Sequence, residues 1–183
     1  LGYISLDTGI MYRAVAYKAV QAGIDVFDDE AVSDLAEKIL IDIQPSREDD
    51  GRQFDVIIDG IDRSWDIRTP EVNQVVSEVS VYPRVRNAMT ALQREIAKNG
   101  KIVMIGRDIG TVVFPDAALK IFVTADIEVR GERRYQELLA KEPGISREEV
   151  RANLEARDHI DSTRAESPLR RAADAVILDN SRM

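Results

Sequence analysis

The chain has 183 residues, a net charge of −8 and a hydrophobic fraction of 44%, which together indicate one globular domain, with room for a small insert. The acidic charge argues against a general nucleic-acid binder, and a chain with no cysteine and one histidine, His159, excludes disulfides, thiolate zinc sites and histidine-cluster metal sites. No apolar run reaches the length of a membrane span and no signal peptide is visible, so we expect a cytoplasmic protein.

Apolar runs typical of strands alternate with helical patterns along most of the chain. The runs cover residues 3–6, 102–105, 120–124 and 175–178, and the helical patterns cover residues 11–21, 83–98, 127–140 and 147–157. This alternation predicts an α/β fold with a doubly wound parallel sheet. Right-handed crossovers then bring the carboxyl ends of the strands to one side of the sheet.

Residues 31–73 interrupt the alternation. Residues 31–40 form an amphipathic helical pattern, and residues 53–58 and 61–65 flank Asp59-Gly60, which is typical of a two-residue hairpin turn. We therefore predict a small antiparallel insert at 31–73, between a first core part at 1–30 and the rest of the core at 74–183. A decorated crossover loop is the alternative that the pattern leaves open.

Two polar motifs follow predicted strands. Gly106-Arg107-Asp108 places a cation and a carboxylate at a carboxyl strand end, where open α/β sheets bind ligands, and an arginine fork can hold two phosphate oxygens. In the stretch from residue 6 to residue 13, Thr8 is a candidate N-cap, and Tyr12 and Arg13 fall on the first turns of a helix, whose N-terminus favours anions. The alternatives are a surface Arg107–Asp108 pair and a solvated Arg13.

These motifs, with further ones, resemble bacterial cytidylate kinase, a nucleoside monophosphate kinase family. The matching stretches lie at residues 7–13, 68–72, 76–86, 106–117 and 157–169, in the order and at the spacing of the family. The resemblance covers nearly the whole chain. It implies a three-layer, P-loop NTPase-like parallel sheet flanked by helices, a CMP-binding insert, and a monomer that acts in pyrimidine nucleotide metabolism.

The resemblance also assigns residues to the acceptor nucleotide. It implies that its phosphate is bound by Thr8, Tyr12, Arg13 and Arg107, and its sugar by Asp161, with Arg157 and Arg164 nearby for the sugar or the phosphate. A plain helical ion pair between Arg157 and Asp161, four residues apart, is the competing interpretation.

The base is assigned to Ser77, Arg86 and Asp108. A carboxylate suits the amino group of cytosine, and arginine and serine suit its ring nitrogen and carbonyl, so uracil is expected to bind less well. The sequence leaves open a solvent-facing Ser77, and an Asp108 that pairs with Arg107 or caps the next helix.

A lid is predicted around residues 127–147, where arginines on one helix would face the transferred phosphoryl group. These candidate catalytic residues are Arg130, Arg133 and Arg134. A solvated helix face is the alternative, because Glu128, Glu132 and Glu137 lie among them.

The implied reaction is transfer of the ATP γ-phosphoryl group to CMP or dCMP, with Mg²⁺ as cofactor and no nucleic-acid or membrane partner. The family's Gly-x-x-x-x-Gly-Lys-Ser/Thr loop does not occur in the 183 residues, so we expect that the N-terminal strand and phosphate loop are missing and that the chain alone is impaired. Ile105 also stands where the family usually has an acid, which leaves the metal ligands unknown. The alternatives are a non-catalytic nucleotide-binding fragment and a kinase for another acceptor such as UMP, AMP or shikimate.

Overall fold

The structure is a computed structural model that describes residues 2–98, 100–139 and 144–183. The chain divides into two compact units, Leu1–Gly106 and Arg107–Met183. No helix among the described residues is long and apolar enough to cross a membrane.

The first unit combines a parallel strand pair with a small antiparallel sheet and four helices. Its elements are β1 (Ile4–Asp7), α1 (Gly9–Gln21), α2 (Asp29–Lys38), β2 (Ile41–Pro45), β3 (Phe54–Ile58), β4 (Ile61–Asp62), α3 (Pro70–Val79), α4 (Pro83–Ala97) and β5 (Ile102–Ile105). Strands β1 and β5 are parallel, with Asp7 opposite Ile105, and β3 lies between β2 and β4 in an antiparallel sheet. A short 3-10 turn, Asp66–Arg68, leads into α3.

One hydrophobic cluster joins the antiparallel sheet to the helices of the first unit. Met11 and Val15 of α1 and Val85 of α4 are fully buried in it, together with Val56 of β3 and Ile67 of the 3-10 turn. The antiparallel sheet therefore shares its core with α1 and α4, and burial of this apolar area anchors it there.

The predicted hairpin is confirmed. Asp59 and Gly60 have φ values of 50° and 82°, the left-handed conformation that a two-residue turn of this kind requires. The predicted strand at 61–65 is wrong beyond Asp62, because the Ser64 hydroxyl accepts a hydrogen bond of 2.8 Å from the backbone N–H of Val56 and the chain turns into the 3-10 segment.

The second unit contains β6 (Ile121–Thr124) and β7 (Val176–Asp179), which pair in parallel, and the helices α5 (Ile127–Leu139) and α6 (Arg147–Thr163). A π-helical turn, Ile109–Val113, follows the Gly-Arg-Asp motif. A capping box between Ser146 and Glu149 starts α6, which runs six residues beyond the predicted end at 157. The predicted lid at 127–147 lies in part outside the described residues.

The α/β architecture with parallel strands flanked by helices agrees with the prediction, and the four core strands lie within one residue of their predicted bounds. The described strands form two separate parallel pairs, so a single three-layer sheet stays a prediction. Strand β2 and helix α3 were not predicted.

Candidate functional site

Thr8 lies at the N-cap of α1, as predicted, but its side chain does not cap the helix. Its backbone is helical, and its buried hydroxyl donates a hydrogen bond of 3.0 Å to the carbonyl of Ile105. The Thr8 backbone N–H bonds the same carbonyl at 2.9 Å. The predicted N-cap position is therefore confirmed without the capping hydrogen bond, because the Thr8 hydroxyl joins the end of β1 to the end of β5 instead.

Arg13 is half-buried and held by the 3-10 turn and the first turn of α3. Its Nη1 donates to Asn73 Oδ1 at 2.6 Å and to the carbonyl of Ile67 at 3.3 Å. A freely solvated helix cation, the alternative drawn from the sequence, does not describe this side chain.

Tyr12 and Arg86 come from separate motifs and lie against each other. Both are buried, and the Arg86 guanidinium carbon is 5.2 Å from the centre of the Tyr12 ring, a cation–π distance. Arg86 Nη1 also donates to the carbonyl of Ser80 at 2.9 Å. Ser77 is half-buried on α3, three residues before Ser80, and one turn after Asn73.

The second unit gathers three of the candidate residues around one carboxylate. Asp161 accepts from Arg107 Nε through Oδ2 and from Arg164 Nη1 through Oδ1, both at 2.9 Å. Arg164 Nε donates to the carbonyl of Ser167 at 2.9 Å. Asp161 and Arg164 are buried, whereas Arg107 is half exposed at its side chain. This Arg107–Asp161–Arg164 cluster joins two sequence motifs that are 54 residues apart.

The ion pairs of this cluster differ from the two that the sequence left open, Arg107–Asp108 and Arg157–Asp161. Among the described residues, Arg107 pairs with Asp161 and not with the neighbouring Asp108, and Asp161 pairs with Arg107 and Arg164 and not with the exposed Arg157. Asp108 is buried at the start of the π-helical turn, where its side chain makes no cap hydrogen bond. Its carbonyl accepts from the backbone N–H of Val112 at 2.8 Å.

The three candidate lid arginines have different partners and are not brought together. Arg130 Nη1 pairs with Asp158 Oδ2 at 2.7 Å, and its Nε donates to the carbonyl of Ala125 at 3.1 Å. Arg133 Nη2 donates to the carbonyls of Asn180 and Met183 at 2.8 and 2.9 Å. The solvated-face alternative fits Arg134, whose exposed pair with Glu137 is within its own helix, and does not fit the other two.

Further ion pairs join α5 to α6. Glu132 Oε2 accepts from Arg147 Nε at 2.8 Å, and Arg151 pairs with Glu128. The hydrogen bonds from Arg147 and Gln136 lower the pKa of Glu132 to about 2, so this carboxylate stays charged across the physiological range. Glu128 and Glu132, two of the three glutamates that suggested a solvated face, therefore join α5 to α6.

The described residues show no cluster of metal-binding side chains. They contain no group of three or more acidic, histidine or cysteine side chains that could hold a metal ion. Exposed Ile105 stands opposite Asp7, whose Oδ1 accepts from the backbone N–H of Gly9 at 2.9 Å.

Sequence reasoning missed Asn73 and Asp158, which hold Arg13 and Arg130. Each had a local signal. Asn73 is four residues before the candidate Ser77 and shares its helix face, and Asp158 is adjacent to the candidate Arg157.

Comparison with known proteins agrees with these motifs. The model of the family described as cytidylate kinase matches residues 1–183. The chain belongs to the cytidylate kinase family. The enzyme class predicted from the sequence, a kinase of the cytidylate kinase type, is thereby confirmed.

Individual relatives give the same result. A cytidylate kinase of Parabacteroides distasonis is 49% identical over 187 residues, which cover all of this chain and 80% of the relative. Cytidylate kinases of Bacteroides thetaiotaomicron and Chloroflexus aggregans are 47% and 44% identical over 186 and 180 residues. These matches cover 100% and 98% of this chain, and 80% and 76% of the relatives.

Proposed function

We propose that the protein transfers the γ-phosphoryl group of ATP to CMP or dCMP. An oxygen of the acceptor phosphate attacks the γ-phosphorus, the bond to the β-phosphate oxygen breaks, and the products are ADP and CDP or dCDP. The transferred phosphoryl group keeps most of its negative charge during the reaction, and the acceptor phosphate is also an anion. The protein therefore has to align two anions and offset the repulsion between them. Mg²⁺ bound to ATP supplies part of that offset.

The observation that carries this proposal is the Arg107–Asp161–Arg164 cluster. The Gly-Arg-Asp motif and the motif at 157–164 are far apart in the sequence, and their charged side chains meet within hydrogen-bond distance. Burial of a carboxylate between two arginines costs desolvation free energy, which an exposed ion pair avoids. Such a cluster suits a ligand that carries both phosphate and sugar hydroxyl groups.

The remaining assignments follow from the chemistry of the acceptor. We assign its phosphate to Thr8, Tyr12, Arg13 and Arg107, its sugar to Arg157, Asp161 and Arg164, and its base to Ser77, Arg86 and Asp108. Arg130, Arg133 and Arg134 are assigned to the transferred phosphoryl group. The partners of Arg130 and Arg133 imply that these two have to leave their present hydrogen bonds to act in this way.

A nucleotide-binding protein without catalysis is the second candidate. It is favoured by Ile105 at the end of β5, which stands where the resembled family usually has an acid.

The experiment is a calorimetric titration of the protein with CMP, with UMP and AMP as controls, followed by a turnover assay with ATP and Mg²⁺. We expect CMP to bind more tightly than UMP or AMP. Binding with turnover supports the kinase, binding without turnover supports the second candidate, and no CMP binding by the folded protein rejects both.

Base recognition is tested with Asp108→Ala. Losing a hydrogen bond between a carboxylate and the amino group of cytosine reduces the preference for CMP over UMP by about ten- to a hundredfold. Asp116→Ala, an exposed aspartate of the same unit, is the matched control and keeps the preference. An unchanged preference in Asp108→Ala contradicts the assignment of this residue to the base.

A further inference from the structure

The Lys120 side chain packs against the π-helical turn, which directly follows Asp108. Its Nζ donates to the carbonyl of Pro115, and to the two carboxylate oxygens of Asp174 at 2.8 and 2.7 Å. We propose that Lys120 is a positioning residue, which fixes the turn and through it the Asp108 carboxylate that is assigned to the amino group of cytosine. The inference rests on the proposed function, because it takes Asp108 as a residue that reads the base.

Lys120 contacts the segment of the turn near its start and beyond its end. A Cβ atom placed on Gly110, the second residue of the turn, would lie 3.2 Å from Lys120 Cδ and 3.4 Å from its Cγ. Because glycine has no Cβ, the methylene stem of the lysine packs directly on the backbone of the turn. Pro115, whose carbonyl accepts from the ammonium, comes two residues after the last residue of the turn. One side chain therefore spans residues 110–115.

The turn also determines where the backbone of Asp108 lies. The carbonyl of Asp108 accepts from the backbone N–H of Val112 at 2.8 Å, and from those of Thr111 and Val113 at 3.3 Å each. A shift of the turn therefore moves the Asp108 carboxylate with it. Because a hydrogen bond weakens steeply with poor distance and angle, such a shift reduces the discrimination between bases.

Lys120 joins this segment to the parallel strands of the same unit. It directly precedes β6, and its carbonyl accepts from the backbone N–H of Val176, the first residue of β7, at 2.9 Å. Asp174, which holds the ammonium, lies two residues before β7. The backbone and the side chain of one lysine thus connect the strand pair to the turn that follows Asp108.

Stability alone does not explain a lysine at this position. Its side chain is 8% exposed, and burial of an ammonium costs desolvation free energy that an apolar side chain of similar length avoids. Lys120→Met keeps a stem against Gly110. It leaves no charge buried, because the Asp174 side chain is 64% exposed and is hydrated in the variant. We therefore expect Lys120→Met to melt close to the temperature of the unchanged protein.

A purely structural role for Lys120 is the competing explanation, and the two roles differ in how they treat CMP and UMP. UMP has a carbonyl in place of the amino group that is assigned to Asp108. A positioning role therefore weakens CMP binding more than UMP binding, and the preference for CMP falls. A structural role weakens the binding of both nucleotides alike and leaves the preference unchanged.

The test measures CMP and UMP affinities by calorimetry for the full 183-residue chain, Lys120→Met, Asp108→Ala and the double variant Lys120→Met/Asp108→Ala. We expect Lys120→Met to reduce the preference for CMP by at least about threefold, and by no more than the roughly ten- to hundredfold expected of Asp108→Ala, because Lys120 acts through that carboxylate. In the Asp108→Ala background, Lys120→Met should cause no further loss of preference.

Lys38→Met is the matched control. Lys38 is also paired with an aspartate, Asp34, at 3.5 Å, but its side chain is 76% exposed. The same substitution there removes a lysine charge and an ion pair without touching the π-helical turn. We expect this variant to keep both affinities and the melting temperature of the unchanged protein.

Three results overturn the inference: an unchanged preference for CMP in Lys120→Met, a Lys120→Met variant that does not fold, or a further loss of preference in the Asp108→Ala background. If the unchanged protein does not prefer CMP, or Asp108→Ala keeps that preference, the base assignment of Asp108 falls and the inference falls with it. A response to Asp108→Ala without one to Lys120→Met removes the inference alone.

Discussion

Replacing Asp161 with asparagine tests whether burial or bond length determines the strength of the ion pairs in the second unit. The Asp161–Arg164 pair has an N–O distance of 2.9 Å, and its side chains are 9% and 6% exposed. The Arg134–Glu137 pair has the same distance and the same three-residue spacing, but its side chains are 45% and 64% exposed. Asp161→Asn and Glu137→Gln therefore remove the same charge from two settings that differ in solvent.

The expected magnitudes follow from this difference. Removing one partner of a buried pair costs about 3–5 kcal/mol, because the remaining charge is left uncompensated. Asparagine keeps one acceptor oxygen, and Arg164 Nε keeps the carbonyl of Ser167, so we expect the low end, about 3 kcal/mol. Loss of the second pair, with Arg107, adds at most about 1 kcal/mol to the destabilisation, because the Arg107 side chain is 49% exposed and is rehydrated in the variant. For Glu137→Gln we expect about 0.5 kcal/mol or less.

The assay is urea denaturation followed by far-UV circular dichroism at pH 7, with hydrogen exchange of α6 as a local measurement. Asp161→Asn should lower the free energy of unfolding and the protection of the last turns of α6, while Glu137→Gln stays within error of the unchanged protein. Equal losses in the two variants, within about 0.5 kcal/mol, would show that burial does not govern these pairs.

Two further predictions concern stability. Ser146→Ala removes the hydroxyl that accepts from the backbone N–H of Glu149, and we expect a loss of about 1 kcal/mol and faster hydrogen exchange at the start of α6; unchanged exchange there would contradict the capping box. For Asp62, hydrogen bonds from Ser64 and Arg52 lower the pKa to about 2, against about 3.9 for an ordinary aspartate. Because the folded pKa is the lower one, this stabilisation is present above about pH 4 and is lost as the pH falls toward 2, so the difference in urea midpoint between the unchanged protein and Asp62→Asn should shrink from pH 7 to pH 3, and a constant difference refutes the assignment.

The core strands and most helices were predictable because their signals are local. Each strand is a short apolar run, each helix has an apolar repeat, and Asp59-Gly60 supplies the backbone angles of its turn. Strand β2 gave no such signal, since Ile41–Pro45 is short and ends in proline, and its partner β3 lies across a loop. Helix α3 begins at Pro70, directly after the 3-10 turn, and lies where the insert was expected to end.

For the candidate site, the sequence alone determined which residue types occur and in which motifs, and that order is sufficient to assign the family, because short motifs are read along the chain. Only the tertiary structure decided what each side chain contacts. In the structure Arg107 pairs with Asp161 and not with the adjacent Asp108, and Arg13 donates a hydrogen bond to Asn73. The Thr8 hydroxyl bonds a carbonyl of β5 and does not cap its own helix. The physical reason is that these partners are separated by 54, 60 and 97 residues, so packing of strands and helices, and not neighbourhood in the chain, brings them within hydrogen-bond distance.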